Sequence, residues 1–273
     1  MTTCLGANAQ GFFDAAAPRD QQKKAVVHLP DKPNKTDANG KKQGEWAKKY
    51  PNGRYAYTAT FVDDVPVGPV VRYTEKGEKS SEQAFRGDTC YTVTYHENGN
   101  PESKGIYIKK LKEGEWLFFN NDGVLITRSF YVNDKLHGKQ TLYFATGKES
   151  EICYYKNGVL NGEWKCFFPS GKTQLSANYV DGQLDGYYTY LDSSTGTKCV
   201  EGMYSHGNCV GEWKLYEDNG KDFRTLHYDK NGKLREKKSE EERIIKLYNK
   251  YDKERGNLVD PEHFRENPEE YKP

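Results

Sequence analysis

Ser170-Gly171-Lys172-Thr173 reads like the end of a phosphate-binding loop, in which backbone amides cradle a phosphate and a lysine reaches it. That loop needs a glycine five positions before Gly171, and Cys166 stands there. Gly147-Lys148 and Gly220-Lys221 hold the equivalent place in their own segments, so the pattern belongs to a repeat and not to a nucleotide site. The histidines His28, His96, His137, His206, His227 and His263 form no His-Glu-x-x-His pair. Cys199, His206 and Cys209 are spaced too loosely for structural zinc, which takes four ligands in tighter pairs. No Gly-x-Ser-x-Gly elbow presents a nucleophile. Glu45, Glu115, Glu163 and Glu212 recur in Gly-Glu-Trp or an equivalent setting. They come from strands that are not neighbours, roughly 20 Å or more apart at ~4.8 Å per strand, so they read as a solvated face and not as a catalytic or calcium-binding series. The expectation is a non-enzymatic chain with no catalytic residues, no cofactor and no metal site.

These residues are carried by a phrase that repeats about every 24 positions: Tyr-x-x-Gly-x-x-x-Gly-x-Trp-x-x-Tyr/Phe, then a glycine four residues on. With its second glycine as anchor, the copies fall at Gly44, Gly68, Cys90, Gly114, Gly138, Gly162, Gly186 and Gly211, spaced 24, 22, 24, 24, 24, 24 and 25. A fixed period of this kind marks an array of one supersecondary unit. Around Gly162 the unit reads as a β-hairpin. Glu151-Ile152-Cys153-Tyr154-Tyr155 is a short β-rich run, residues 156 to 161 hold turn types, Gly162 to Phe168 is a second run, and Pro169-Ser170-Gly171 turns again. Eight such units make about sixteen strands. The copies at Gly68 and Cys90 depart most, with Val70 and Thr92 in the Trp slot and Cys90 in place of the anchor glycine, and read as degenerate copies whose strand pairing is less secure.

Antiparallel partners have residue numbers that sum to a constant. Placing Tyr155 opposite Trp164 also pairs Tyr107 with Trp116, Tyr131 with Gln140, Tyr179 with Tyr188 and Tyr204 with Trp213. Two residues outward, Gly105 meets Phe118, Ser129 meets Leu142, Ala177 meets Tyr190 and Gly202 meets Leu215. Aromatic against aromatic and small against large suit one packed face. Trp116, Trp164, Trp213, Tyr107, Tyr155, Tyr179 and Tyr204 are its structural residues. This register sets Cys153 opposite Cys166, within disulfide reach in an oxidising compartment and a small apolar pair in a reducing one. Five residues past the anchors stand Tyr73, Tyr95, Phe119, Tyr143, Phe167 and Tyr216, on the other face by alternation. Two readings of this second column stand. It is either a protein-partner surface, or rings covered by sheet twist and lysine stems.

The chain has 273 residues, 41 basic against 40 acidic, with 21 Tyr, 26 Gly and only 35 % hydrophobic residues. Net charge near +1 gives no footprint for nucleic acid. Few aliphatics beside many Tyr and Gly suit a fold with much surface per core. No run approaches the ~20 apolar residues of a membrane helix. Leu5-Gly6-Ala7-Asn8-Ala9-Gln10 resembles the end of a secretory signal without its apolar region. The organisation expected is a signal-peptide remnant over 1–9, a lead-in over 10–38, an array of about eight repeats over 39–234, and a C-terminal helix and tail over 235–273. Ser239-Glu240-Glu241-Glu242 opens that helix as a capping box, and Ile244, Leu247, Tyr248 and Tyr251 form its apolar stripe.

The repeated phrase resembles the MORN repeat family in its bacterial variant form. Tyr155-Lys156-Asn157-Gly158-Val159-Leu160-Asn161-Gly162-Glu163-Trp164 and Tyr204-Ser205-His206-Gly207-Asn208-Cys209-Val210-Gly211-Glu212-Trp213 carry the motif, and the stretch from Tyr179 to Tyr188 departs only at the Trp slot. The resemblance implies a mainly β fold, an elongated single-layer antiparallel meander of hairpins. Many bacterial relatives are labelled antitoxins, and others act as scaffolds or are proposed to meet membranes. Three readings follow: a protein–protein interaction or scaffolding module of the cell envelope, periplasmic or secreted; an antitoxin-like cytoplasmic regulator that binds a toxin; and a lipid- or membrane-surface binder, which lacks the basic cluster that anionic lipid usually requires.

Overall fold

The structure is a computed structural model and describes residues 33–193, 195–217 and 220–235. The helix expected over 239–251, the tail and the segment 1–9 lie outside the described residues. The strands are β1 (Lys35–Thr36), β2 (Lys42–Lys49), β3 (Tyr55–Val62), β4 (Val65–Pro66), β5 (Val70–Tyr73), β6 (Lys79–Arg86), β7 (Thr89–Tyr95), β8 (Pro101–Ile108), β9 (Leu111–Phe119), β10 (Leu125–Val132), β11 (Lys135–Leu136), β12 (Gly138–Tyr143), β13 (Glu149–Lys156), β14 (Val159–Phe167), β15 (Thr173–Val180), β16 (Gln183–Leu184), β17 (Gly186–Leu191), β18 (Lys198–Ser205), β19 (Asn208–Tyr216) and β20 (Phe223–Tyr228). Four of these twenty are two-residue fragments, which leaves sixteen full strands. The chain divides into two compact units. The first runs to Ser150 and includes Tyr154–Val159, and the second holds Glu151–Cys153 and continues from Leu160. Within each unit, pairing runs between strands that follow one another in the chain, and it is antiparallel throughout.

Six hairpins among the described residues close on a two-residue turn with one shared geometry. Asp63-Asp64, Lys109-Lys110, Asn133-Asp134, Asn157-Gly158, Asp181-Gly182 and His206-Gly207 all have positive φ at both positions. This is the type I′ geometry, whose twist matches that of the flanking strands. The anchor glycine follows a few residues later, also at positive φ: Gly114 at +64°, Gly186 at +107°, Gly211 at +68°. There the second strand bulges. In the β8–β9 pair, Tyr107 faces Lys112 and Ile108 faces Leu111, whereas beyond the break Lys104 faces Leu117 and Ser103 faces Phe118. The second strand has absorbed two extra residues.

That bulge corrects the expected register. Tyr107 pairs with Lys112 and not Trp116, Tyr131 with Leu136 and not Gln140, Tyr179 with Leu184 and not Tyr188, and Tyr204 with Cys209 and not Trp213. One pleat further in, Ser103 meets Phe118, Thr127 meets Leu142, Leu175 meets Tyr190 and Val200 meets Leu215. The displacement is four residues beside the turn and two beyond the bulge. An even slip preserves the face, so the assignment of sides survives while every partner changes.

The corrected register sets large against small. Trp116 faces Ser129, Trp164 faces Ala177, Tyr188 faces Gly202, and Trp46 faces Ala59. On its other flank Trp116 lies over Gly105, where a Cβ would stand 2.2 Å from indole Cδ2; Trp213 lies over Gly202 at 2.1 Å. Only glycine admits the ring there. Trp116 and Trp213 are each 1 % exposed. Their indole N–H groups donate to the carbonyls of Ile106 and Met203 at 3.2 and 3.1 Å. Tyrosines from two hairpins close on each ring: Tyr107 and Tyr131 on Trp116 with centroids at 4.9 and 6.4 Å, Tyr204 and Tyr228 on Trp213 at 4.8 and 6.3 Å. Edge-to-face contacts of this kind add ~0.5–1.5 kcal/mol each beyond area burial.

The copy at Cys90 shows what the anchor glycine does. The β6–β7 hairpin pairs without a break from Arg86↔Thr89 to Ser81↔Thr94. Cys90 has no positive φ and there is no bulge. Gln83 faces Thr92 there across nine positions, where the other hairpins need eleven. The repeat is two residues shorter at this point because the two residues of the bulge are missing.

Candidate partner-binding face

Each unit buries tryptophan on one face, Trp116 in the first and Trp164 and Trp213 in the second. The opposite face is where the hairpins diverge, and it carries the second aromatic column. None of Tyr73, Tyr95, Phe119, Tyr143, Phe167 and Tyr216 is exposed; Tyr95 is buried and the other five are half-buried. Lysines cover several of them. Lys79 Nζ lies 5.2 Å over Tyr95 and Lys104 Nζ 5.5 Å over Phe119. Tyr216 packs on Phe223 at 5.5 Å. The Tyr73 carbonyl accepts from the Tyr50 hydroxyl at 2.8 Å. Stems and rings together shield the column, as amphipathic lysines do over apolar surface.

Between this column and the turn edge, the first unit exposes apolar residues. Leu111, Phe130 and Val132 are 37–39 % exposed, and Ile106 and Ile108 are half-buried beside them. They sit on adjacent strands: Ile108 faces Leu111, and Phe130 faces Glu115. Gly105-Ile106-Tyr107-Ile108 and Ser129-Phe130-Tyr131-Val132 therefore lose the apolar-in, polar-out alternation expected of a half-solvated strand. The column count missed this strip. The run of non-alternating residues was the signal that could have found it. Two carboxylates beside the strip are engaged, with Arg128 Nη1 3.1 Å from Glu115 Oε1 and Glu113 Oε2 accepting from the Asn133 amide at 3.0 Å, and exposed Lys109, Lys110 and Lys135 flank it.

The second unit builds an ionic cluster on its opposite face. Glu201 is 8 % exposed. It accepts from Lys198 Nζ at 2.7 Å, from the Tyr216 hydroxyl at 2.6 Å and from the Tyr187 hydroxyl, with Lys214 Nζ at 3.9 Å. Burial works to raise its pKa, but the bonds from Lys198, Tyr187 and Tyr216 outweigh that and hold it at about 2. The Tyr216 hydroxyl is pushed up by its bond to Glu201, and Tyr187 by burial and then by the same carboxylate. A smaller version stands in the first unit, where Glu82 meets Lys79 at 3.1 Å and the Tyr95 hydroxyl at 3.1 Å. Burial first, then the Glu82 charge, pushes the Tyr95 hydroxyl well up. Glu201 stays ionised with a lysine and two tyrosine hydroxyls donating to it, which suits a clamp and not a proton carrier.

Other residues singled out in the sequence fall into structural places. In Ser170-Gly171-Lys172, the Gly171 amide donates to the Phe168 carbonyl at 2.8 Å and the Phe168 amide to that of Lys172 at 2.9 Å, a hairpin turn whose donors are engaged. His96 Nε2 contacts the Phe119 carbonyl at 2.8 Å, while His206 and His227 stand 3.8 and 3.7 Å from Asp185 and Glu212. Among the described residues no group of three or more His, Cys, Asp or Glu could hold a metal ion. Glu115, Glu163 and Glu212 are exposed, while Glu45 is half-buried. Trp164, Cys153 and Cys166 are buried, and Tyr155, Tyr179 and Tyr204 half-buried.

Residues 112–133, 136–157 and 160–181 match the MORN repeat variant family. The three stretches are repeats of that family and span the hairpins from β9 to β15. No match was found among curated proteins.

Proposed function

We propose that this protein is a non-enzymatic binding or scaffolding module that recognises a protein partner through the face opposite its tryptophans. One observation carries the reading. Around Trp116 and Trp213 the Trp face repeats one ring packing, whereas the opposite face changes from an apolar strip at Ile106, Phe130 and Val132 to an ionic clamp at Glu201. A face that only held the fold would repeat along with it. Exposed apolar residues gathered in one strip mark an interaction surface. An envelope setting draws support from the Leu5–Gln10 pattern, and fractionation of the native cell tests it.

A photo-crosslinking residue placed at Phe130 tests the binding face, with one at exposed Glu212 as control. A discrete crosslinked species at Phe130 and none at Glu212 is the expected result. Crosslinking that does not depend on position would rule out a dedicated surface.

A further inference from the structure

We infer that the apolar strip at Ile108, Phe130 and Val132 seats an amphipathic helix of a partner protein, one whose apolar stripe is flanked by carboxylates; this rests on the binding-face reading above. Strand register sets a cation at each end of the strip, on the same face. At one end Ile108 faces Thr89, and Thr89 faces Arg86. At the other end Val132 faces Lys135. Lys109 and Lys110 form the turn between Ile108 and Leu111. All four cations are exposed, and among the described residues none of their side chains has a hydrogen-bond or ion-pair partner. The acids beside them are mostly committed. Glu115 meets Arg128, Glu113 accepts from the Asn133 amide, and Asp134 accepts from the Lys112 amide. Of these acids and Asp88, only Asp88 has no such partner, so four uncommitted cations stand against one uncommitted carboxylate.

The form of the occupant follows from the backbone. Arg86 on β6 and Lys135 on β11 are separated by roughly 24 Å, taking ~4.8 Å for each strand crossed. A helix of about 16 residues covers that length at ~1.5 Å per residue. A segment lying across a sheet face draws no hydrogen bonds from the ladder, so its own backbone groups must be satisfied within it. A helix does this while presenting one apolar stripe. An added strand would need a sheet edge, and β8, β9 and β10 are each paired on both sides. A flat anionic surface would meet Asp88, Glu113 and Asp134 together with the cations. A helix sets its carboxylates only where the cations stand.

Fluorescence anisotropy with the full chain tests this. The probes are two labelled helical peptides of about 16 residues with the same leucine stripe, one flanked by glutamates and the other by lysines. The glutamate peptide should bind saturably, at least ~10-fold tighter than the lysine peptide, and more weakly as salt rises. Arg86→Glu and Lys135→Glu should each weaken it by ~3-fold or more, and the double variant should prefer the lysine peptide. Both residues are exposed, so the folded state tolerates the change, and thermal melting checks it. Equal binding of the two peptides overturns the inference, as does a glutamate peptide that fails to bind or that binds the double variant as well as the wild type. Binding to phosphatidylserine vesicles that the double variant loses would also overturn it, by assigning the strip to lipid. If neither peptide binds yet Phe130 crosslinks to a protein, the proposed function stands and only the chemistry of the partner is wrong.

Discussion

Two stretches of the chain share a backbone plan and differ on one side only. In β8–β10, Trp116 lies over Gly105 between Tyr107 and Tyr131. In β18–β20, Trp213 lies over Gly202 between Tyr204 and Tyr228. The two-residue turn, the bulge after it, the two tyrosine contacts and the indole hydrogen bond to a carbonyl occur in both. On the opposite face the likeness stops. One step after the residues on either side of the ring, Gly105 and Ser129 or Gly202 and Leu226, stand Ile106 and Phe130 in the first stretch, and Met203 and His227 in the second; one step before them stand Lys104 and Arg128 against Glu201 and Thr225. The Trp face bears the folding requirement and tolerates little. The other face shares the aromatic column five residues past the anchors and otherwise varies between the two stretches, so what it displays beside that column reports on use.

The sharpest way to break this comparison is at the shared side. Trp116→Ala and Trp213→Ala should each cost ~3–5 kcal/mol, as should Trp164→Ala, against ~0.5 kcal/mol or less for exposed Glu163→Ala. Denaturant unfolding that gives equal losses for the Trp and Glu variants would refute the face assignment. Gly105→Ala and Gly202→Ala come next. A Cβ at ~2 Å from an indole carbon forces the ring or strand aside, and overpacking of this kind costs ~1–3 kcal/mol or more. Both glycines should be equally intolerant. A harmless Gly202→Ala would show that the second stretch does not share the packing.

The differing side gives a smaller effect that depends on pH. Glu201 has its folded pKa near 2, below the ordinary 4.5, so its contribution is fully present above about pH 4.5 and is lost as pH falls toward 2. Glu201→Gln should destabilise by ~1–3 kcal/mol at neutral pH and flatten that acid dependence. Melting curves of wild type and variant that stay parallel from pH 6 to pH 2.5 would remove the clamp. The anchor positions sharpen the comparison further. Gly114→Ala should cost ~1–2 kcal/mol, because φ there is +64°, while Cys90→Gly should not create a bulge, since the two residues it needs are absent. Smallest is the cysteine pair. Carried to the hairpin around Gly162, the observed two-residue offset puts Cys153 across from Trp164 and makes Cys166 a diagonal neighbour, ~7–8 Å away and beyond ordinary disulfide reach. Intact mass after denaturation and alkylation should show both as thiols; a two-hydrogen deficit would restore the original register.

The period of about 24, the hairpin unit, the turn sites and the division of residues between two faces were all readable from the residue types. They rest on local rules: alternation along a strand, and Asn or Gly where φ must be positive. Even the short repeat at Cys90 was visible as a spacing of 22, although its cause was not. Three things were decided only by tertiary structure. The partner of each tryptophan depended on where the second strand bulges, and a bulge changes the count without changing the pattern. The aromatic column at Tyr95 and Phe119 turned out shielded, because whether a ring is covered depends on lysines from the neighbouring strand. The exposed strip at Phe130 emerged only when residues far apart in sequence were set side by side, since a patch is a property of adjacent strands and no single stretch contains it.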